Sequence, residues 1–191
     1  MQLLERRILA DGKVRPGGIL KVDSFLNHQL DPVLFYDMAR EFRRLFAGEH
    51  IDKILTVEAS GIALAVMTGY VFGCKAVFAK KSRSKNISDD VYSAQVVSFT
   101  HGSTSTVILS REYLHAGERV LIVDDFLATG AALVGLRAII EQAGAVLVGA
   151  GVAVEKVFQG GGDALRAQGV RVEALARIAA MSDDGLTFVQ D

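Results

Sequence analysis

The chain of 191 residues carries 21 Lys plus Arg against 22 Asp plus Glu, a net charge of −1, so bulk charge selects neither nucleic acid nor an anionic membrane as a partner. Half of the residues are apolar and 23% are charged, which excludes disorder and suffices for one domain burying about 70% of its unfolded surface. A mean hydropathy of +0.31 raises the question of a membrane span, but the longest uncharged apolar run, 59–74, is interrupted by Gly61, Gly69 and Gly73 and falls short of the roughly 20 residues a span needs.

In chain order, MQLLERRILADGK (1–13) has charges within its first seven residues and no long apolar stretch, so no secretory signal is predicted. Asp31-Pro32 supplies an N-cap and a first-turn proline. A helix is predicted from there to Gly48, with Val33, Leu34, Met38, Phe42, Leu45 and Phe46 on one broad apolar side. IDKILTVE (51–58) reads as a strand, SGIALAVMTGYVFG (60–73) as a buried helix and KAVFAK (75–80) as a second strand, a βαβ signal that requires a parallel sheet. Cys74 is the only cysteine, which excludes an internal disulfide and a multi-cysteine zinc site.

KKSRSKNISDD (80–90) has no buried-face periodicity and reads as an exposed loop, with Lys80, Lys81, Arg83 and Lys85 in six residues. YSAQVVSF (92–99) and STSTVILS (103–110), separated by His101-Gly102, predict an antiparallel hairpin. RVLIVDDFL (119–127) is a near-continuous apolar strand, followed by the helix AALVGLRAIIEQAG (131–144), with Leu133, Leu136, Ile139 and Ile140 on one side. AVLVGAGVAVE (145–155) is a strand of the kind buried on both faces, and a short helix over 162–168 leads to the strand VRVEALARI (170–178). The expected fold is α/β, a mainly parallel central sheet flanked by helices, with the hairpin inserted between its halves. In such sheets ligands sit at the carboxyl ends of the strands.

The strongest chemical feature lies at one such end. In VLIVDDFLATGAA (120–132) a buried strand runs into two adjacent carboxylates, Asp124 and Asp125, and then into a loop that opens a helix. The helix start offers unpaired N–H groups and a positive dipole end, Gly130 permits close approach and Thr129 adds a hydroxyl: a phosphate cradle. The two acids beside it are not drawn there by phosphate. They call for vicinal sugar hydroxyls or a magnesium ion, and together the features describe a site for a phosphorylated sugar. No GxxxxGK[ST], GxSxG or HExxH is present, and His28, His50, His101 and His115 lack ligand-like spacing, so no metal site from the protein directly is indicated.

VLIVDDFLATGAA resembles the signature of the type I phosphoribosyltransferases, which bind phosphoribosyl diphosphate (PRPP). The resemblance implies Asp124 and Asp125 as catalytic ribose ligands and Ala128, Thr129, Gly130, Ala131 and Ala132 as the PRPP 5-phosphate loop. Ala132 departs from the Ser or Thr that many members place there, so backbone N–H groups would carry more of the binding. LKVDSFLNHQLDP (20–32), VEASGIALA (57–65) and AVEKVF (153–158), with the overall length, resemble the branch of that family that acts on xanthine. That branch implies Leu20, Asn27 and Lys156 as xanthine-binding residues, Mg²⁺ carried with PRPP, a homodimer and a cytoplasmic location, with no nucleic-acid or membrane partner. One domain over 1–191 is expected, with 1–50 a small amino-terminal hood carrying the base-binding segment and 51–191 the core.

The residues themselves are compatible with this. An ammonium only donates, so Lys156 suits the carbonyl edge of any 6-oxopurine, and Asn27 both donates and accepts. Phe126 and Phe158 offer apolar faces to a ring, although either can serve as plain core, which is the reading expected for Phe158. Ala59 and Ser60 lie in a strand-to-helix turn whose N–H groups suit a diphosphate, and the basic run beginning at Lys80 and Lys81 suits a flexible hood over the departing diphosphate. Guanine or hypoxanthine in place of xanthine stays open, and so does a PRPP-sensing transcription regulator on the same fold. The regulator lacks an evident helix-turn-helix with a basic face in its first 50 residues.

Overall fold

The computed structural model describes residues 1–81, 90–98, 103–183 and 185–190. Arg83 and Lys85 of the basic run and the His101-Gly102 turn lie outside the described residues. The elements are α1 (Gln2–Asp11), β1 (Lys13–Arg15), β2 (Ile19–Lys21), α2 (Pro32–Leu45), β3 (Lys53–Val57), α3 (Gly61–Phe72), β4 (Lys75–Ala79), β5 (Val91–Ser98), β6 (Ser103–Ser110), β7 (Arg119–Leu127), α4 (Ala131–Gln142), β8 (Val146–Lys156), α5 (Gly161–Ala167), β9 (Val172–Ser182) and β10 (Gly185–Phe188). Six strands form the central sheet in the order β10-β9-β8-β7-β3-β4. All its pairings are parallel except that of β10 with β9.

The chain starts the sheet at β3, crosses through α3 to β4 on one side, then returns to lay β7, β8 and β9 in succession on the other. The order therefore reverses between β3 and β7. A crevice opens at the carboxyl ends of those two strands, as expected at such a switch point.

Alternation along the strands sorts the core into two layers. Leu121 and Val123 of β7 face a cluster with Leu4 and Ile8 of α1, Met38 and Phe42 of α2 and Leu64 of α3. Val120 and Ile122 face a cluster with Leu136 and Ile139 of α4, Leu165 of α5 and Tyr92, Val107 and Leu109 of the β5–β6 hairpin. The hairpin is thus docked on α4, where Gln142 Nε2 donates to the Ser93 carbonyl at 2.8 Å. Within residues 1–50, α2 packs on α3, and both α1 and α2 contact β9; the β1–β2 hairpin and a single wide turn over Asp23–Asn27 lie between the two helices in sequence.

α2 begins as its sequence predicts, with Asp31 Oδ1 accepting the Val33 and Leu34 N–H groups at 3.1 and 3.2 Å. Its packing depends on two glycines of β8. A methyl on Gly151 would lie 2.9 Å from the Phe42 ring, and one on Gly149 would lie 2.8 Å from the Phe46 ring. Four residues of helix advance about 6 Å and two of strand about 6.6 Å, so the two rings match two successive gaps on one face of β8. Gly151→Ala should overpack this contact and cost about 1–3 kcal/mol. Urea denaturation should show a lower midpoint with an unchanged slope.

Candidate active site

β7 is buried nearly throughout, and its last turn of strand carries the two acids into the crevice. Asp124 and Asp125 are only 5% and 7% exposed, and the Asp125 N–H donates to Asp124 Oδ1 at 3.0 Å. After Leu127 the chain turns through Ala128 to Gly130, which has φ +83°, and α4 begins with no side chain capping it. The first N–H groups of that helix are therefore left to a ligand, and the dipole favours an anion there. The Gly161 N–H donates to the Ala128 carbonyl at 3.2 Å, which braces the loop from α5.

The crevice encloses about 270 Å³. Asp124, Asp125 and residues 128–132 form one wall. Glu58, Ser60 and Lys81 also line the crevice, as do Val96, Ser105 and Val107 of the hairpin. The Lys81 N–H donates to Glu58 Oε1 at 2.6 Å, tying the residue after β4 to the turn after β3. The carboxylate of Glu58 in this role is a contact the sequence did not reveal, because 23 residues separate the partners.

The remaining sequence-singled residues divide in space. Lys80 is fixed by a backbone bridge to Ile108 and lines a separate groove of about 1210 Å³ at the β4 edge. Ala59 is exposed and follows a cis Glu58–Ala59 peptide. Lys156 is the last residue of β8, one residue further along that strand than the sequence predicted. Its Nζ donates to the Gly18 carbonyl at 3.0 Å and lies 5.7 Å from the centre of the Phe126 ring, which itself lines the crevice. Leu20 is buried in β2, two residues beyond Gly18, and Asn27 is exposed at the end of the wide turn. Lys156 therefore connects the amino-terminal hairpin to the crevice through Phe126. Phe158 is 45% exposed, so it is not the core residue its apolar side chain suggests.

A second group of charges lies beneath the loop. Glu155, 1% exposed, is paired at 2.7 and 2.9 Å with Arg166 of α5 and at 3.2 Å with Arg177 of β9. Burial pushes the Glu155 carboxyl up, but the two guanidiniums outweigh it and hold it below the usual range. Gly162 makes room for this pair, since a methyl there would collide with Glu155 Oε1. The triad fixes α5, whose Gly161 packs on the loop over Ala128–Gly130.

Burial pushes the Asp124 carboxyl well above the usual carboxylate range, and the adjacent Asp125 adds to the shift; the Asp125 N–H and the Lys81 charge oppose it. A carboxyl whose folded pKa is raised binds its proton more tightly in the native state than in the unfolded chain. Its ionisation at neutral pH therefore costs stability, and acidification through the raised pKa relieves that cost. Asp124→Asn should accordingly melt above wild type at neutral pH, with the gap closing as the pH falls toward the ordinary carboxylate value. Thermal melts across that pH range check this; a variant less stable than wild type at neutral pH contradicts it.

The phosphoribosyl transferase domain family matches residues 23–162. The chain is 50% identical over 190 residues to the xanthine phosphoribosyltransferases of Bacillus cereus (strain AH187) and Bacillus anthracis, covering 100% of this chain and 96% of each of theirs. Among solved structures, adenine phosphoribosyltransferase from Rhodothermus marinus superposes with a TM-score of 0.75 at 21% identity, over 93% of this chain and 99% of that one. Adenine phosphoribosyltransferase from Trypanosoma brucei gives 0.77 at 17% identity, over 95% and 82%. At those identities the two structures speak to the fold alone.

Proposed function

The chain belongs to the phosphoribosyl transferase domain family, and from that premise we propose that it transfers the 5-phosphoribosyl group of PRPP to N9 of xanthine, giving xanthosine 5′-monophosphate and diphosphate in purine salvage. The observation that carries the sugar half is the buried Asp124–Asp125 pair opening directly onto an uncapped helix start. The xanthine half is supported by the 50% identity to curated xanthine enzymes over the whole chain and by the half-buried Lys156 beside Phe126.

The bond from the anomeric carbon to diphosphate breaks as the purine nitrogen forms its own, through an oxocarbenium-like state. Asp124 and Asp125 hold the ribose hydroxyls, and the N–H groups over Ala131 and Ala132 hold the 5-phosphate. Ser60 and Lys81 face the departing diphosphate, whose growing negative charge the ammonium stabilises. Holding all three parts of the substrate in line supplies most of the acceleration. Mg²⁺ enters with PRPP as part of the substrate. An ion that keeps waters and substrate phosphates as its ligands would ask for no cage of protein carboxylates.

A homodimer in the cytoplasm belongs to the same reading. β4 ends the sheet order, and Tyr70 and Phe78 beside it, 77% and 38% exposed, offer a surface for a second copy. Among the described residues no helix is long and apolar enough to cross a membrane.

The test is product formation from PRPP, Mg²⁺ and each of xanthine, guanine and hypoxanthine; failure to form the xanthine product overturns the reading. Lys156→Gln sharpens it. Xanthine titrates near neutral pH and is partly anionic, so losing the cation should cost it about 1–2 kcal/mol in kcat/KM and hypoxanthine less. Equal losses for all three bases would show that Lys156 supports the pocket without selecting xanthine.

A further inference from the structure

β3 reads KILTV and is buried at every position. Thr56 in its interior is 1% exposed, and its Oγ1 has no hydrogen-bond partner. Valine has the same shape and suits a buried strand better, so packing does not explain a hydroxyl here. A buried hydroxyl without a partner is a cost to folding.

The place of that hydroxyl gives it a use. A methyl group on Gly61, the first residue of α3, would collide with Thr56 Oγ1 and would also lie 2.7 Å from Asp124 Oδ1. The hydroxyl and the carboxylate thus share the space that the missing side chain leaves. An ionised carboxylate accepts about four hydrogen bonds. Asp124 receives one from the Asp125 N–H, and the ribose would supply others from the open side. The side facing β3 has a donor waiting and no other use for it.

We propose that Thr56 is a positioning residue of the sugar site: in the PRPP-loaded enzyme its hydroxyl donates to the Asp124 carboxylate and holds it in the orientation that grips the ribose. This rests on Asp124 being a ribose ligand, as proposed above. The unpartnered hydroxyl of the free protein is then a group held ready for the loaded state, and Gly61 is the residue that keeps the approach open.

The test pairs Thr56→Val, which removes the hydroxyl at constant shape, with Thr56→Ser, which keeps it. Each is melted without ligand and titrated calorimetrically with PRPP and Mg²⁺. Thr56→Val should melt at or above the wild-type temperature yet bind PRPP about tenfold more weakly, while Thr56→Ser retains most of the wild-type affinity. Wild-type affinity in Thr56→Val overturns the inference, as does loss in Thr56→Ser equal to that in Thr56→Val. A Thr56→Val chain that melts lower or fails to fold also overturns it, because the hydroxyl would then serve the fold. Failure of the wild type itself to bind PRPP would instead remove the reading of the whole site, so the two failures are distinguishable.

Discussion

Two carboxylates held side by side at the buried end of β7 are the constraint on which the rest of the structure turns. Like charges in a poorly solvated place repel and are costly, and burial together with the neighbouring Asp125 pushes the Asp124 carboxyl up accordingly. The fold meets it by surrounding the pair with elements that do not yield. β7 lies between β3 and β8, both buried, and α3 and α4 start beside it. Only the face toward the crevice is open, which is where a polyol can satisfy both acids at once.

The braces around the pair are themselves made by close approach. Gly61 lets α3 begin against Asp124, Gly161 lets α5 pack on the loop over Ala128–Gly130, and Gly162 admits the Glu155–Arg166 pair beneath it. Breaking a buried ion pair by removing one partner leaves an uncompensated charge, so the triad makes α5 a rigid support. A loop proposed to bind through backbone N–H groups needs such support, because no side-chain rotamer can correct a misplaced backbone. Ala132, which brings no hydroxyl, makes the dependence on backbone placement stronger in this chain.

Most of the sheet, and the stretch that lines the crevice at its switch point, were legible in the sequence because they rest on local patterns. Continuous apolar runs gave β7 and β8, and the strand–acid–acid–loop–helix order gave Asp124 to Ala132 in one stretch. The amino-terminal elements were not. In α1 only Leu4 and Ile8 are buried while Leu3 and Leu9 are exposed, so its periodicity is weak, and three residues each in β1 and β2 are too few to show alternation. β10, four residues at a sheet edge, is no clearer. The choice between Lys80 and Lys81 was equally hidden. Neighbouring residues of an extended chain point to opposite sides, and only the tertiary structure says that Lys81 is the one turned to the crevice. The base-site residues came from family resemblance, since Lys156 meets its Gly18 partner across 138 residues.

The central claim is that the acid pair grips the ribose of PRPP and is held there at some expense to folding. The most direct measurement is calorimetric titration of PRPP with Mg²⁺ into Asp124→Asn/Asp125→Asn beside the wild type, with circular dichroism to establish that both are folded. The account predicts a folded double variant whose PRPP affinity is lower by at least the roughly 1.5–3 kcal/mol of one charge-assisted hydrogen bond. A folded double variant that binds PRPP as the wild type does would contradict it.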